Sequence, residues 1–198
     1  MRTRSTTPGI LPIGILLMLG LAGCGTAAAD PQVGPPETAT TSPSRTAPAE
    51  TAEPGIAPAA GEELEIRALT LRLTEDLRWL RPESGELTVS ATALMEDGYP
   101  VMVTISDLQA VQSDLDLNAQ SFLDVSAHDP KPTRGDNRTV DGVEAWTAEA
   151  ADDLMHSTWL GGIHEDRQWS VEIQTPVSMS EEDAHRFRER IIASIAFA

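Results

Sequence analysis

The chain has 198 residues and a formal net charge of −17, from 31 Asp and Glu against 14 Lys and Arg. Binding to nucleic acid or to anionic headgroups requires basic patches, so this balance argues against both classes of partner. From Glu62 onward 27 acidic residues face 11 basic ones, a net of −16, so the acidity belongs to the body of the chain.

The first residues read as a targeting segment. Arg2 and Arg4 form a positive start, and Gly9 to Leu21 is an uncharged run of mostly Ile, Leu, Gly and Met. That run is long enough for a secretory h-region but short of the roughly 20 apolar residues a spanning helix needs. It ends in Leu21-Ala22-Gly23-Cys24, and Cys24 is the only cysteine. This ending resembles the bacterial lipobox, in which small residues precede a lipidated cysteine. The resemblance implies that Cys24 is the first mature residue and carries a diacylglycerol on its thiol, the group whose thiolate is nucleophilic enough to take it. Two acyl chains give stable membrane attachment where one gives only marginal binding. The expected location is therefore the outer face of the cell membrane, with residues 1–23 as signal peptide.

Residues 25 to 61 read as a linker. Twenty-nine of the 37 positions are Ala, Pro, Thr, Gly or Ser, and Val33 and Ile56 are the only larger aliphatics. Such a segment buries too little apolar surface to offset its ordering entropy. Its Thr and Pro content also makes it a candidate for O-glycosylation.

Residues 62–198 are expected to form one domain. Leu64 to Leu73 reads as a strand with a register break near Ala68-Leu69. Leu87, Val89, Ala91, Ala93 and Met95 alternate as a half-buried strand should. Asp97-Gly98 signals a hairpin, and Val101, Val103 and Ile105 continue on the return strand, with Pro100 at its start. The period then changes: Leu115, Ala119, Phe122, Leu123 and Ser126 recur at helical spacing, with Asp114 or Asp116 as cap and the Pro130 and Pro132 segment as terminator. Gly135-Asp136-Asn137 and Asp141-Gly142 are turn signals. Strands follow at Val143 to Ala150, Leu154 to Ile163 and Gln168 to Thr175, the last stopped by Pro176. Ser180 opens a final helix, with Asp183 three residues on, and Ala184, Phe187, Ile191 and Ile195 face inward. Strands, helix, strands, helix predicts an α+β fold with a central antiparallel sheet of about six strands.

The succession Val140-Asp141-Gly142-Val143-Glu144-Ala145, then Trp169-Ser170-Val171-Glu172-Ile173-Gln174-Thr175-Pro176, then Ile191-Ile192-Ala193-Ser194-Ile195-Ala196-Phe197 resembles actinobacterial lipoproteins of the LpqN and LpqT type, which share the PsbP-like fold. The resemblance implies a central antiparallel sheet with helices packed on its two faces and a non-enzymatic accessory or binding role in the envelope. An actinobacterial source also fits the thirteen Arg to one Lys in the chain, a usage typical of GC-rich genomes.

Catalytic signatures are sparse. No Gly-x-Ser-x-Gly and no phosphate-binding glycine loop occurs, and Gly161-Gly162 reads as a bulge or strand end. His156 and His164 would stand roughly 26 Å apart on a straight strand, too far to share a metal. His185, between Glu181 and Glu189, reads as part of a solvated helix face. The acidic clusters Asp114 with Asp116, Asp152-Asp153 and Glu181-Glu182-Asp183 lack EF-hand spacing; they are solvated turns and helix starts, or a weak Ca²⁺ site. Trp146, Trp159 and Trp169 fall on three consecutive predicted strands. They either pack the core or line a half-open pocket for an apolar or glycan ligand.

No catalytic residue, metal or cofactor is therefore expected. The favoured reading is a membrane-anchored binding or adaptor domain, with envelope proteins, lipids or glycans as partners. The alternatives are a hydrolase or metal-dependent enzyme with an unrecognised site, and a structural surface lipoprotein with no specific ligand.

Overall fold

The computed structural model describes residues 55–198; the expected signal peptide, Cys24 and most of the linker lie outside the described residues. Within them the chain forms β1 (Glu63–Glu65), β2 (Leu69–Arg72), β3 (Glu83–Ser84), β4 (Thr88–Leu94), β5 (Pro100–Gln109), α1 (Leu115–Val125), β6 (Thr133–Arg134), β7 (Arg138–Val140), β8 (Val143–Ala151), β9 (Met155–His164), β10 (Arg167–Pro176), α2 (Glu181–Ile192) and β11 (Ala196–Phe197). The fold is α+β, and every strand pair is antiparallel. The large sheet runs in the order β3-β4-β5-β10-β9-β8-β6, with β7 also on β8, and a small sheet runs β1-β2-β11.

The first expected strand is two strands that pair with each other. The register break is a tight turn in which the Ile66 amide donates to the Leu69 carbonyl at 3.0 Å, so Glu63 lies opposite Arg72. This hairpin leaves the large sheet and takes its third strand from the C-terminus, Ala196 opposite Thr70. Residues 55–61 fall in the expected linker, yet Ala59 is buried and its amide donates to the Arg190 carbonyl of α2 at 2.9 Å.

Period-2 alternation sorts the large sheet into two faces. One carries Ala91, Val101, Val103, Ile105, Ala145, Leu160, Trp169, Val171 and Ile173, and packs against Leu64, Leu69, Leu71 and Leu73 together with Phe187, Ile191 and Ile192 of α2. The other face is covered only in part. α1 lies over β8 and β9, enclosing Trp146, Ala148 and Trp159. The rest of that face bears hydroxyls that pair across strands, Ser90 with Thr104 at 3.0 Å and Ser106 with Ser170 at 2.8 Å. This division explains the two kinds of strand in the sequence. β4 and β5 alternate because one side is wet, whereas the centre of β9 is buried on both sides.

The local signals act as expected. At Asp97-Gly98 the chain turns with Gly98 at φ +85°, a left-handed conformation that glycine adopts without strain. Asp114 caps α1 by accepting from the Leu117 amide at 2.9 Å. Ser180 caps α2: its hydroxyl accepts from the Asp183 amide at 3.1 Å and donates to the Asp183 carboxylate at 2.7 Å. Among the described residues no helix is long and apolar enough to cross a membrane.

Candidate functional site

The tryptophans do not form one pocket. Trp146 lies opposite Gly161, which lies opposite Ser170, whereas Trp169 lies opposite Gly162, which lies opposite Ala145. A one-residue offset reverses the face, so Trp146 and Trp159 sit under α1 and Trp169 sits in the main core. All three are at most 3% exposed. Phe122 of α1 stacks on Trp146 with ring centroids 4.8 Å apart and tilts against Trp159 at 5.6 Å. The Trp146 indole N–H donates to the carbonyl of buried Asn118. On the other side Phe197 meets Trp169 edge-on at 5.0 Å.

Gly161-Gly162 is neither bulge nor strand end; both residues pair on each side in mid-strand. Their missing side chains seat the indoles. A Cβ on Gly161 would stand 2.3 Å from the Trp146 ring, and one on Gly162 would stand 2.9 Å from the Glu144 carbonyl and 3.2 Å from the Trp169 ring. Because β9 runs on through both glycines, His156 and His164 occupy opposite ends of the strand. Among the described residues no cluster of His, Cys, Asp or Glu is placed to hold a metal.

A cleft of about 530 Å³ opens instead between α2 and the β6–β9 end of the large sheet, within the range typical of small-molecule sites. Its floor is Thr147 and Glu149 of β8 with Thr158 and Leu160 of β9, which the register brings face to face as Glu149–Thr158 and Thr147–Leu160. One wall is a single stripe of α2, His185, Arg188, Glu189 and Ile192, at helical spacing. The other wall is Thr133 and Arg134, the 135–137 turn and Arg138.

A part-buried ion pair spans the cleft. Arg138 donates two hydrogen bonds, each 2.8 Å, to the two carboxylate oxygens of Glu189, a fork geometry that only arginine offers. Burial by itself would raise the Glu189 carboxyl. The hydrogen bonds and charge of Arg138, with smaller help from His185 and Arg188, outweigh it and hold the group below the usual carboxylate range. Arg134 is tied to Asp116 at 3.0 Å and to Asn137, and the Thr147 hydroxyl donates to the Asp136 carbonyl at 2.8 Å. Other groups are left over. The Thr158 hydroxyl oxygen is buried without a hydrogen-bond partner, and Arg188, Asp136 and Glu149 form no ion pair among the described residues.

The hollow on the opposite side of α2, about 470 Å³ and lined by Leu77, Met95, Met179 and Phe187, differs in this respect. Its arginines are already engaged, Arg190 with Glu75 at 2.7 Å and Arg186 with Asp183 at 2.8 Å, and the Ser178 hydroxyl donates to Asp97 at 2.6 Å.

Sequence reasoning missed the cleft. His185 and Glu189 are not on a freely solvated face: Glu189 is buried against Arg138, and His185 lines the hollow. The spacing of 185, 188, 189 and 192 marked one stripe of α2, and nothing local indicated what it would meet.

No protein-family model matches the sequence, and no curated protein is similar to it in sequence. Several solved structures are similar to the chain, two of them as follows. One is the cyanobacterial PsbP (CyanoP) of Synechocystis sp. PCC 6803, 13% identical with a TM-score of 0.48, covering 73% of this chain and 96% of that one. The other, from Bacteroides thetaiotaomicron VPI-5482, is 11% identical with a TM-score of 0.46 and covers 70% of this chain. The match takes in 48% of the Bacteroides chain, so this protein spans about half of its length.

Proposed function

We propose that the protein is a non-enzymatic lipoprotein of the LpqN and LpqT type, whose PsbP-like domain serves as an accessory or binding module on the outer face of the cell membrane. The observation that carries this reading is the uncharged run Gly9 to Leu21 ending in Leu21-Ala22-Gly23 before the only cysteine. The Pro-, Ala- and Thr-rich stretch that follows is a suitable tether. It confines the domain near the bilayer and raises its effective concentration for envelope partners. The polar cleft against α2 offers that domain a place to bind.

The test is Cys24→Ala. Alanine has no nucleophile to accept a lipid, so the variant should lose membrane attachment or accumulate as uncleaved precursor. Fractionation and intact mass read both outcomes. Unchanged attachment with unchanged mature mass would remove the anchor from the proposal.

A further inference from the structure

We propose that the cleft between α2 and β6–β9 binds a small zwitterion of amino-acid or short-peptide kind, its carboxylate on Arg188 and its ammonium on Glu149. This gives a ligand class to the binding role proposed above and rests on it.

The argument starts from charge. The domain carries a net of −16 from Glu62 onward, yet the cleft lining holds three guanidinium groups, Arg134, Arg138 and Arg188, against three carboxylates, Asp136, Glu149 and Glu189. A hollow on an acidic surface would ordinarily be acidic; this one is balanced. A ligand of one sign would meet three like charges at close quarters. A zwitterion can answer both signs, and an apolar ligand would strip water from the unpaired charges without compensation.

The pairing inside the cleft then locates the vacant positions. Arg138 and Glu189 are joined to each other by two hydrogen bonds, and Arg134 turns to Asp116 outside the cleft. The exposed carboxylate of Asp136 sits in the 135–137 turn, on the wall across from α2. Like it, Arg188 on the helix wall and Glu149 on the sheet floor form no ion pair among the described residues, and of the two free carboxylates only Glu149 stands beside an unpartnered buried hydroxyl. Arg188 presents the planar fork that suits a carboxylate. Directly opposite Glu149 in the register is Thr158, 7% exposed, with its hydroxyl oxygen unpartnered. Buried hydroxyls normally find a partner, and a ligand lying between Glu149 and Arg188 would supply one. Three peptide residues extend about 10 Å, a size suited to a hollow of 530 Å³.

The test uses the full chain in detergent, titrated calorimetrically with trialanine, N-acetyl-trialanine and trialanine amide. Trialanine should bind, and each blocked form should bind at least about tenfold more weakly, since each leaves one charge of the site unanswered. Arg188→Gln should abolish the preference over the amide while keeping the preference over the acetylated form, and Glu149→Gln should do the reverse. Neither side chain is buried, so both variants should melt as the parent does. No heat with any peptide at millimolar concentration would overturn the proposal, as would equal binding of all three or unchanged discrimination in both variants. Binding to phosphatidylethanolamine vesicles without binding to trialanine would show that a lipid headgroup is the occupant and the peptide reading is wrong. Membrane attachment through Cys24 is measured separately, so the anchor and the ligand can fail independently.

Discussion

At the scale of single residues, Gly161 is held to glycine by a ring rather than by its backbone angles. The Trp146 indole cannot retreat easily, because Phe122 stacks behind it at 4.8 Å and its N–H is committed to Asn118. Gly161→Ala should therefore lower stability by about 1–3 kcal/mol, the usual range for overpacking a filled core. Urea denaturation followed by tryptophan fluorescence measures it. Combining it with Trp146→Phe tests the cause: the smaller ring makes room, so the double variant should lose less than the sum of the two single losses. A double variant whose losses simply add would show that the methyl clashes with something other than the indole. The tryptophans and the glycine pair were both visible in the sequence, but their partnership was not. Which indole faces which glycine depends on the β8–β9 and β9–β10 registers, and a change of one residue in either would exchange the faces.

At the scale of elements, the signals that were legible are those generated by local chemistry. Asp114 and Ser180 announce α1 and α2 because a cap is a bond between residues three apart. Ser180→Ala removes both its hydrogen bonds at the start of α2, so a loss of about 1 kcal/mol is expected, and Ser180→Asp should recover most of it by restoring an acceptor. Thermal melts of the three proteins decide this, and an alanine variant as stable as the parent would mean the cap contributes nothing. Strands β4, β5 and β10 were equally readable from their alternation, and β8 and β9 from the turn signals that precede them. Of the two- and three-residue strands, β3, β6, β7 and β11 were not, since they are too short to show a period and exist because a neighbouring strand offers a ladder. The cleft was hidden for the same reason. Its lining comes from β6, β7, β8, β9 and α2, and only the stripe on α2 has a spacing of its own.

For the whole molecule, acidity and stability are linked through a few carboxylates. The Ser178 hydroxyl and the Tyr99 amide hold Asp97 below its ordinary 3.8, and the amides of Leu154 and Met155 do the same for Asp152. Backbone hydrogen bonds, with Arg190 adding, depress Glu75 below its ordinary 4.5. Glu189 is depressed against its own burial by Arg138. A carboxylate depressed on folding binds its proton more readily in the unfolded chain. The stabilisation is therefore complete above about 4.5 and disappears as pH falls through the folded values below it. The urea midpoint should drop below about pH 4, and Glu189→Gln should flatten part of that drop while lowering the midpoint at pH 7. A midpoint independent of pH between 5 and 3 would contradict this account.

The small sheet ties the first strands to the last. Leu69 and Thr70 pair with Phe197 and Ala196, the Phe197 amide donates to the Asp141 carboxylate at 3.0 Å, and the Ala198 amide donates to Ala68 at 3.3 Å. Contacts that close a loop of more than 120 residues repay their entropy only after everything between is in place. The β1–β2 hairpin is therefore local and cheap to close, whereas the β11 edge that completes its sheet belongs to the distant contacts. Replacing residues 196–198 so that this pairing is lost should therefore strip protection from hydrogen exchange at Leu69 and Thr70 while leaving the large sheet protected.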